Sequence, residues 1–379
     1  MSSTAYAHHG IARFDMNKDV TLRGTIARIA FINPHSYIYL DVVGSNGATQ
    51  KWRCEMRAAT VLHRSGWSQK MFKVGSKAEI KGSPAKNGSN TCYLGEIRLA
   101  DGTKMDRYGQ LAHAEPLRPK EPASRPMTIA NGDPNIGGTW AAEQFVMTDP
   151  KGQAGAFVPL SVAEKVKPGA IPKGMEAIPG ARGTKESYEK DDKRALMRPA
   201  PVQLTAAGKE AVKGFESFRD TPRFHCKSTN ILSDWTFEYD VNDIKQTADT
   251  ITIKYGFMDI VRTIHLDMDQ HPADITPTLE GNSIGHWENG TLVVDTVGFK
   301  PGLLTAFPPT RYSSQLHVVE RFTPDLKNGT LTRTFVAEDP EYWKTKYTGK
   351  DVVRLTPTSY EDYHCDDRTW KDKTVKASN

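Results

Sequence analysis

The stretch 281–299, GNSIGHWENGTLVVDTVGF, limits the fold more tightly than any other part of this chain. Asn289-Gly290 lies between two alternating runs, and both residues tolerate the positive φ of a type I′ hairpin turn. A two-residue loop there pairs Glu288 with Thr291, Trp287 with Leu292, His286 with Val293 and Ile284 with Asp295. Successive side chains leave a strand on opposite faces, so His286, Glu288, Val293 and Asp295 share one face and Trp287, Leu292 and Val294 the other. His286 and Asp295 become diagonal neighbours, roughly 7–8 Å apart at Cα, close enough for the imidazole to reach the carboxylate. A carboxylate holding one ring nitrogen leaves the other as a base near neutral pH. The competing reading of the same pair is an ordinary structural hydrogen bond.

Around this hairpin the chain reads as mostly β. From 231 onward the runs 235–241, 250–257, 260–267, 283–288, 291–297, 316–322, 331–337 and 351–358 are spaced as consecutive antiparallel strands, and Asn328-Gly329 marks another tight turn. Opened by Gly138-Thr139-Trp140, this pattern predicts a calycin- or lipocalin-like antiparallel barrel able to hold one small ligand. The first hundred residues predict five strands with a short helix near 57–65 between the third and fourth, the order of an OB-like barrel. Tyr37, Tyr39 and Trp52 read as packing residues there. The expected organisation is 1–7 as a replacement start and export-signal remnant, 8–113 as the OB-like domain and 114–136 as a Pro-rich linker. Residues 137–379 form the barrel domain, with a long loop at 150–203. A helix is expected over 205–218 with Thr205 as N-cap.

The net charge of +5 is spread along the chain, with no basic block interleaved with aromatics, so nucleic acid is not an expected partner. No apolar run reaches the 18 residues of a membrane span. Ala5-Tyr6-Ala7 has the A-x-A form of an export cleavage site, so the expected location is the periplasm or outside the cell, with a cytosolic location as the alternative because no apolar segment precedes the motif. Four cysteines fit such an oxidising compartment. Pairing Cys54 with Cys92 and Cys226 with Cys365 keeps each bridge within a domain and is the simplest of three connectivities.

Two sets of motifs carry a resemblance. Residues 8–105, with HHGIARFD, NPHSYIYLDV, WRCEM, LHRSGW and VGSKAEIKGSPAKNG, resemble a bacterial domain of unknown function found just after export signals. Residues 138–370 resemble a widespread proteobacterial family, through GTW, HPAD at 271–274, the hairpin above, LHVVERF at 316–322, DPEYW at 339–343 and YHC at 363–365. The resemblance implies a fused, exported protein without a settled activity, and relatives near pathways for aromatic or steroid-like compounds colour the expected substrate.

The functional expectation is a cofactor-independent enzyme that binds a small aromatic or hydrophobic molecule inside the second barrel and performs lyase or isomerase chemistry. His286 is the expected base, Asp295 its orienting group, and Glu320 the acid or partner. Glu320 shares its strand face with Leu316, Val318 and Phe322, so it must find a partner or have its proton held by desolvation. Tyr255, Arg262, His317 and Trp140 are expected to position the substrate. The cluster His265, Asp267, Asp269 and His271 reads as solvated turn chemistry rather than a metal site. No dinucleotide, Walker or nucleophile-elbow motif occurs, and no cofactor is expected. Two alternatives remain: a non-catalytic carrier or sensor for the same ligand, and a copper protein using a processed N-terminal His8 with His35 or His63. A homodimer is left open.

Overall fold

Alternating buried and exposed side chains in the first hundred residues build one closed sheet, and the same rule builds a second, larger one after residue 138. The structure, a computed structural model, describes residues 14–15, 17–106, 125–143, 145–147, 157–159 and 199–366. It divides into two compact units, the second comprising 119–143 and 180–363. His8, the A-x-A motif, most of the expected linker and nearly all of the 150–203 loop lie outside the described residues.

In the first unit, β1 (Val20–Ala30), β2 (Tyr37–Val43), β3 (Thr49–Glu55), β4 (Lys77–Pro84) and β5 (Thr91–Leu99) form the sheet, with β6 (Lys104–Asp106) added at β5. Its order is β3-β2-β1-β4-β5, and a parallel pairing of β3 with β5 closes it. The helix α1 (Ala59–Arg64) lies between β3 and β4, where a helix is expected, and buries Leu62 in the core beside Trp67. Cys54 and Cys92 are Cα partners across that closing pair, both fully buried, and they form a disulfide. Cys226 and Cys365 are disulfide-bonded as well, so no cysteine is free. Tyr37 packs as expected, buried under the Arg53 guanidinium.

Nine strands close the second barrel. They are β7 (Gly138–Ala142), β10 (Val241–Gln246), β11 (Thr250–Lys254), β12 (Val261–His265), β13 (Asn282–Glu288), β14 (Thr291–Val297), β17 (His317–Asp325), β18 (Thr330–Glu338) and β19 (Tyr347–Leu355). A short ribbon of β8 (Phe145–Met147) and β9 (Phe157–Pro159) and a hairpin of β15 (Gly302–Ala306) and β16 (Pro309–Tyr312) stand outside it. The architecture is therefore mostly β with two barrels. The β13–β14 hairpin has the expected register pair for pair, with Asn289 at φ 49 and Gly290 at φ 79. The expectation of a wholly antiparallel meander fails at one place: β12 and β13 run parallel, pairing Ile264 with Ser283 and His265 with Ile284. Parallel neighbours cannot be joined by a tight hairpin and need a crossover. Residues 266–281 supply it as a strap along the outside of the sheet.

Thr205 caps α2 (Ala206–Ala211) by accepting a hydrogen bond from the Gly208 amide. The helix is shorter than the expected 205–218, because Gly214 at φ 68 turns the chain.

The barrel interior is lined by alternating inward side chains. Inward positions of β14, β17 and β18 alternate as Leu292, Val294 and Thr296, then Val318, Glu320 and Phe322, then Leu331, Arg333, Phe335 and Ala337, all buried. Against them lies residues 231–235, part of the chain's own path into the lumen. The Ile231 carbonyl accepts from Tyr255 Oη and Arg333 Nη1, the Leu232 carbonyl accepts from Arg333 Nη2, and Trp235 packs edge-on against Tyr255 and Phe322. Residues 231–235 thus form a plug against the inward faces of these strands. Trp140, expected to face substrate, is fully buried in this core and donates its indole N–H to the Ile136 carbonyl.

At Gly256 the chain passes close to itself: a Cβ there would lie 2.4 Å from the Val241 carbonyl oxygen and 2.7 Å from its nitrogen. These are backbone atoms that cannot swing aside. Gly256→Ala is expected to destabilise the second unit by about 1–3 kcal/mol, readable in its urea unfolding midpoint.

Candidate functional site

On the outer face of β13, β14 and β17, the alternation that sends Val294 and Thr296 inward sends Asp295 outward. Its carboxylate is gripped from two sides. His317, diagonal to it on β17, places Nε2 2.9 Å from Oδ2, and His271, on the strap, places Nε2 2.9 Å from Oδ1. The other His271 ring nitrogen, Nδ1, lies 2.6 Å from Asn282 Oδ1 at the start of β13. Asp295 and His317 remain about two-fifths exposed, whereas His271 is only 19 % exposed.

The electrostatics follow from this geometry. The hydrogen bond from His317, helped by that from His271, holds the Asp295 carboxyl below the ordinary range although partial burial works against it. In return, the hydrogen bond to Asp295 and its charge raise His317 above the ordinary imidazole value, against the effect of burial. The three side chains do not converge on a common metal position, and no other group of His, Cys, Asp or Glu among the described residues does so.

His286 is not part of this site. It reaches Glu288 instead, Nε2 to Oε1 at 2.8 Å, and Arg321 binds the second Glu288 oxygen at 2.6 Å. The shared face and the register are as expected, but Asp295 has a diagonal histidine on each neighbouring strand, and the one on β17 takes it. Both Asp295 oxygens are then filled, and Glu288, two residues along the same strand face, engages the His286 ring.

Glu320 is likewise corrected. It is fully buried between two guanidinium groups, with Arg262 Nη2 2.5 Å from Oε2 and Arg333 Nη1 3.2 Å from Oε1. Arg262 also donates to Ser283 Oγ and Thr296 Oγ1, and Arg333 pairs with Asp351 at 2.5 Å. Burial opposes the charge on Arg333, but Asp351 and Glu320 outweigh it and raise its pKa. Burial pushes the Tyr255 phenol up to about 12. These groups form a closed ion-pair network that fixes the plug, the ordinary alternative for a carboxylate among apolar neighbours. Tyr255 and Arg262 face that network rather than a substrate.

For the copper alternative, His35 Nδ1 lies 3.0 Å from Glu55 Oε1 and His63 stacks on Phe31, while His8 is outside the described residues. The turn cluster separates: His265 faces Asp267 at 3.7 Å, whereas His271 belongs to the Asp295 site. His271, Asn282, Arg333 and Asp351 were not legible as site or core residues. Only the position of His271 in the HPAD motif carried a signal.

Residues 1–94 match a family of unknown function (DUF6152), a match that ends within β5 and does not reach the second unit. No curated protein and no solved structure matches the chain. No helix among the described residues is long and apolar enough to cross a membrane. Together with the disulfides, this is compatible with export.

Proposed function

We propose that the second unit is an acid/base catalyst for a small molecule, acting on the outer face of the barrel rather than in its lumen. His317 is the base, Asp295 fixes its ring and stabilises the charge it acquires, and the reaction is a lyase or isomerase step needing no redox cofactor. The observation that carries this reading is the His317–Asp295 pair: Nε2 is held by the carboxylate, the ring is two-fifths exposed, and its proton affinity is raised. The disulfides support a periplasmic or secreted location. The strand orders support an OB-like relationship for the first unit and a calycin-like one for the second.

The test is base-catalysed deuterium incorporation or elimination in a panel of small aromatic and carbonyl C–H acids, followed by NMR in deuterated buffer. Asp295→Asn and His317→Ala are each expected to lower the rate by about 10²-fold or more, with His286→Ala near wild type. The base form of His317 is the neutral ring, so activity should rise with pH through a value above that of an ordinary imidazole. Asp295→Asn should move that profile toward lower pH. Turnover that survives both Asp295→Asn and His317→Ala refutes this assignment, and ligand binding without turnover favours the carrier reading.

A further inference from the structure

The strap is fastened by its backbone at both ends, with Asp267 facing His265 at 3.7 Å near the first end and one hydrogen-bonding side chain, His271, between them. The Leu266 amide donates to the Asp249 carbonyl, and Thr278 pairs with the chain at Phe299, its amide donating to the Gly298 carbonyl and its own carbonyl accepting from Lys300. Among the described residues, the only side-chain hydrogen bonds that tie the strap between these points to the barrel are those of His271. Ile275 adds an apolar contact: a Cβ on Gly298 would lie 2.4 Å from Ile275 Cγ2. Gln270, Pro272, Ala273, Asp274, Thr276 and Pro277 are exposed. An imidazole thus sits between two fixed acceptors, Asn282 Oδ1 at 2.6 Å and Asp295 Oδ1 at 2.9 Å, at the end of a segment with little else to hold it.

We infer that Asn282 and Asp295 form a receptor for a flat ring with two nitrogens in a 1,3 relation, and that His271 fills it as an internal stand-in which such a molecule displaces. This rests on the proposed acid/base site and names the class of molecule it takes: a small ring with two N–H donors in a 1,3 relation, as in an imidazolium, a cyclic amidinium or a cyclic urea. Both acceptors belong to strands of the closed barrel, so their separation is set by the sheet. The ring they receive belongs to the strap, so it can leave without breaking a strand pairing. A bound heterocycle would lie against Asp295 Oδ1, on the carboxylate whose other oxygen orients His317. The base and the bound ring would then share one carboxylate. An internal competitor lowers apparent affinity by the fraction of time the receptor is open, so removing His271 should tighten binding.

Imidazole itself is the probe, titrated into the full chain at a fixed pH of about 5.5, below the ordinary imidazole value so that the ring carries two N–H donors. The Asn282 side-chain amide and the backbone amides of the strap are followed by NMR. In wild type, imidazole should shift the Asn282 amide and lower strap order parameters from about 0.85 toward 0.6. In His271→Ala the strap should be mobile without ligand, and the Asn282 shift should saturate at an imidazole concentration at least about tenfold lower. His271→Gln, which keeps a polar side chain of similar reach, guards against a folding defect and should fall between the two. Equal midpoints in wild type and His271→Ala, or an Asn282 amide that ignores imidazole in both, overturn the inference. Loss of turnover is read separately in Asp295→Asn and His317→Ala, so failure of the catalytic reading leaves this titration interpretable.

Discussion

Replacing Glu320 by alanine is expected to lower the stability of the second unit by about 3–5 kcal/mol, the usual cost of removing one partner from a buried ion pair. Glu320 is fully enclosed, and each of its oxygens faces a different guanidinium, so the substitution leaves Arg262 and Arg333 beside one another without the charge between them. Arg333 retains Asp351, but Arg262 retains only neutral partners, the hydroxyls of Ser283 and Thr296 and the Tyr255 phenol. The consequence reaches the plug, because Arg333 holds the Ile231 and Leu232 carbonyls. Urea unfolding followed by tryptophan fluorescence would show it, since Trp235 lies against Arg333 at 5.7 Å. A loss below about 1 kcal/mol, the range of an exposed pair, would mean that the network does not hold the lumen together.

Asp234→Asn should abolish a pH dependence that the wild type carries. Asp234 is buried within the plug, and burial raises its carboxyl to about 6 although the Thr229 amide and Ser233 hydroxyl pull the other way. In the unfolded chain the same carboxyl titrates near about 3.9. Between these values the folded protein holds a proton that the unfolded chain has lost. The stability it contributes is therefore complete below the unfolded value and is lost as pH rises through about 6. The difference amounts to about 3 kcal/mol at most. Asparagine keeps a carbonyl oxygen for the Thr229 amide and has no proton to lose. Asp295 and the other carboxyls held low have the opposite slope, but they are common to both proteins and cancel in the comparison. Urea midpoints measured from pH 4 to 8 should therefore diverge as pH rises, with the variant ahead at neutral pH. Parallel curves would show that Asp234 is not held protonated.

The candidate site was legible as a face and illegible as a set of partners. The Asn289-Gly290 turn placed Asp295 and His286 on one side of the β13–β14 hairpin, and that placement holds. It said nothing of β17, which follows a separate hairpin, nor of the strap, whose path depends on β12 and β13 lying parallel. Glu320 was recognisable as a carboxylate on an apolar face, and Arg333 reaches it diagonally from the neighbouring strand β18, but Arg262 comes from β12, and no local pattern announces that β12 will stand opposite β17 across the lumen. Trp140, Tyr255 and Arg262 carry groups suited to ligand binding, yet an aromatic or a guanidinium serves a core equally well once its polar atoms are paired.

What the chain determined by itself is local: strand periods, the primed turn at residues 289–290, the Thr205 cap, the helix between the third and fourth strands and the two-barrel, mostly β outcome. Each of these depends on residues within one turn or one strand of each other, where steric preference and alternation act directly. Tertiary structure decided the rest. It chose which histidine reaches Asp295, set Glu320 between Arg262 and Arg333 and laid residues 231–235 against the inward side chains of the second barrel. These outcomes turn on which segments meet across the closed sheet, and a carboxylate takes its role from the charges that arrive beside it.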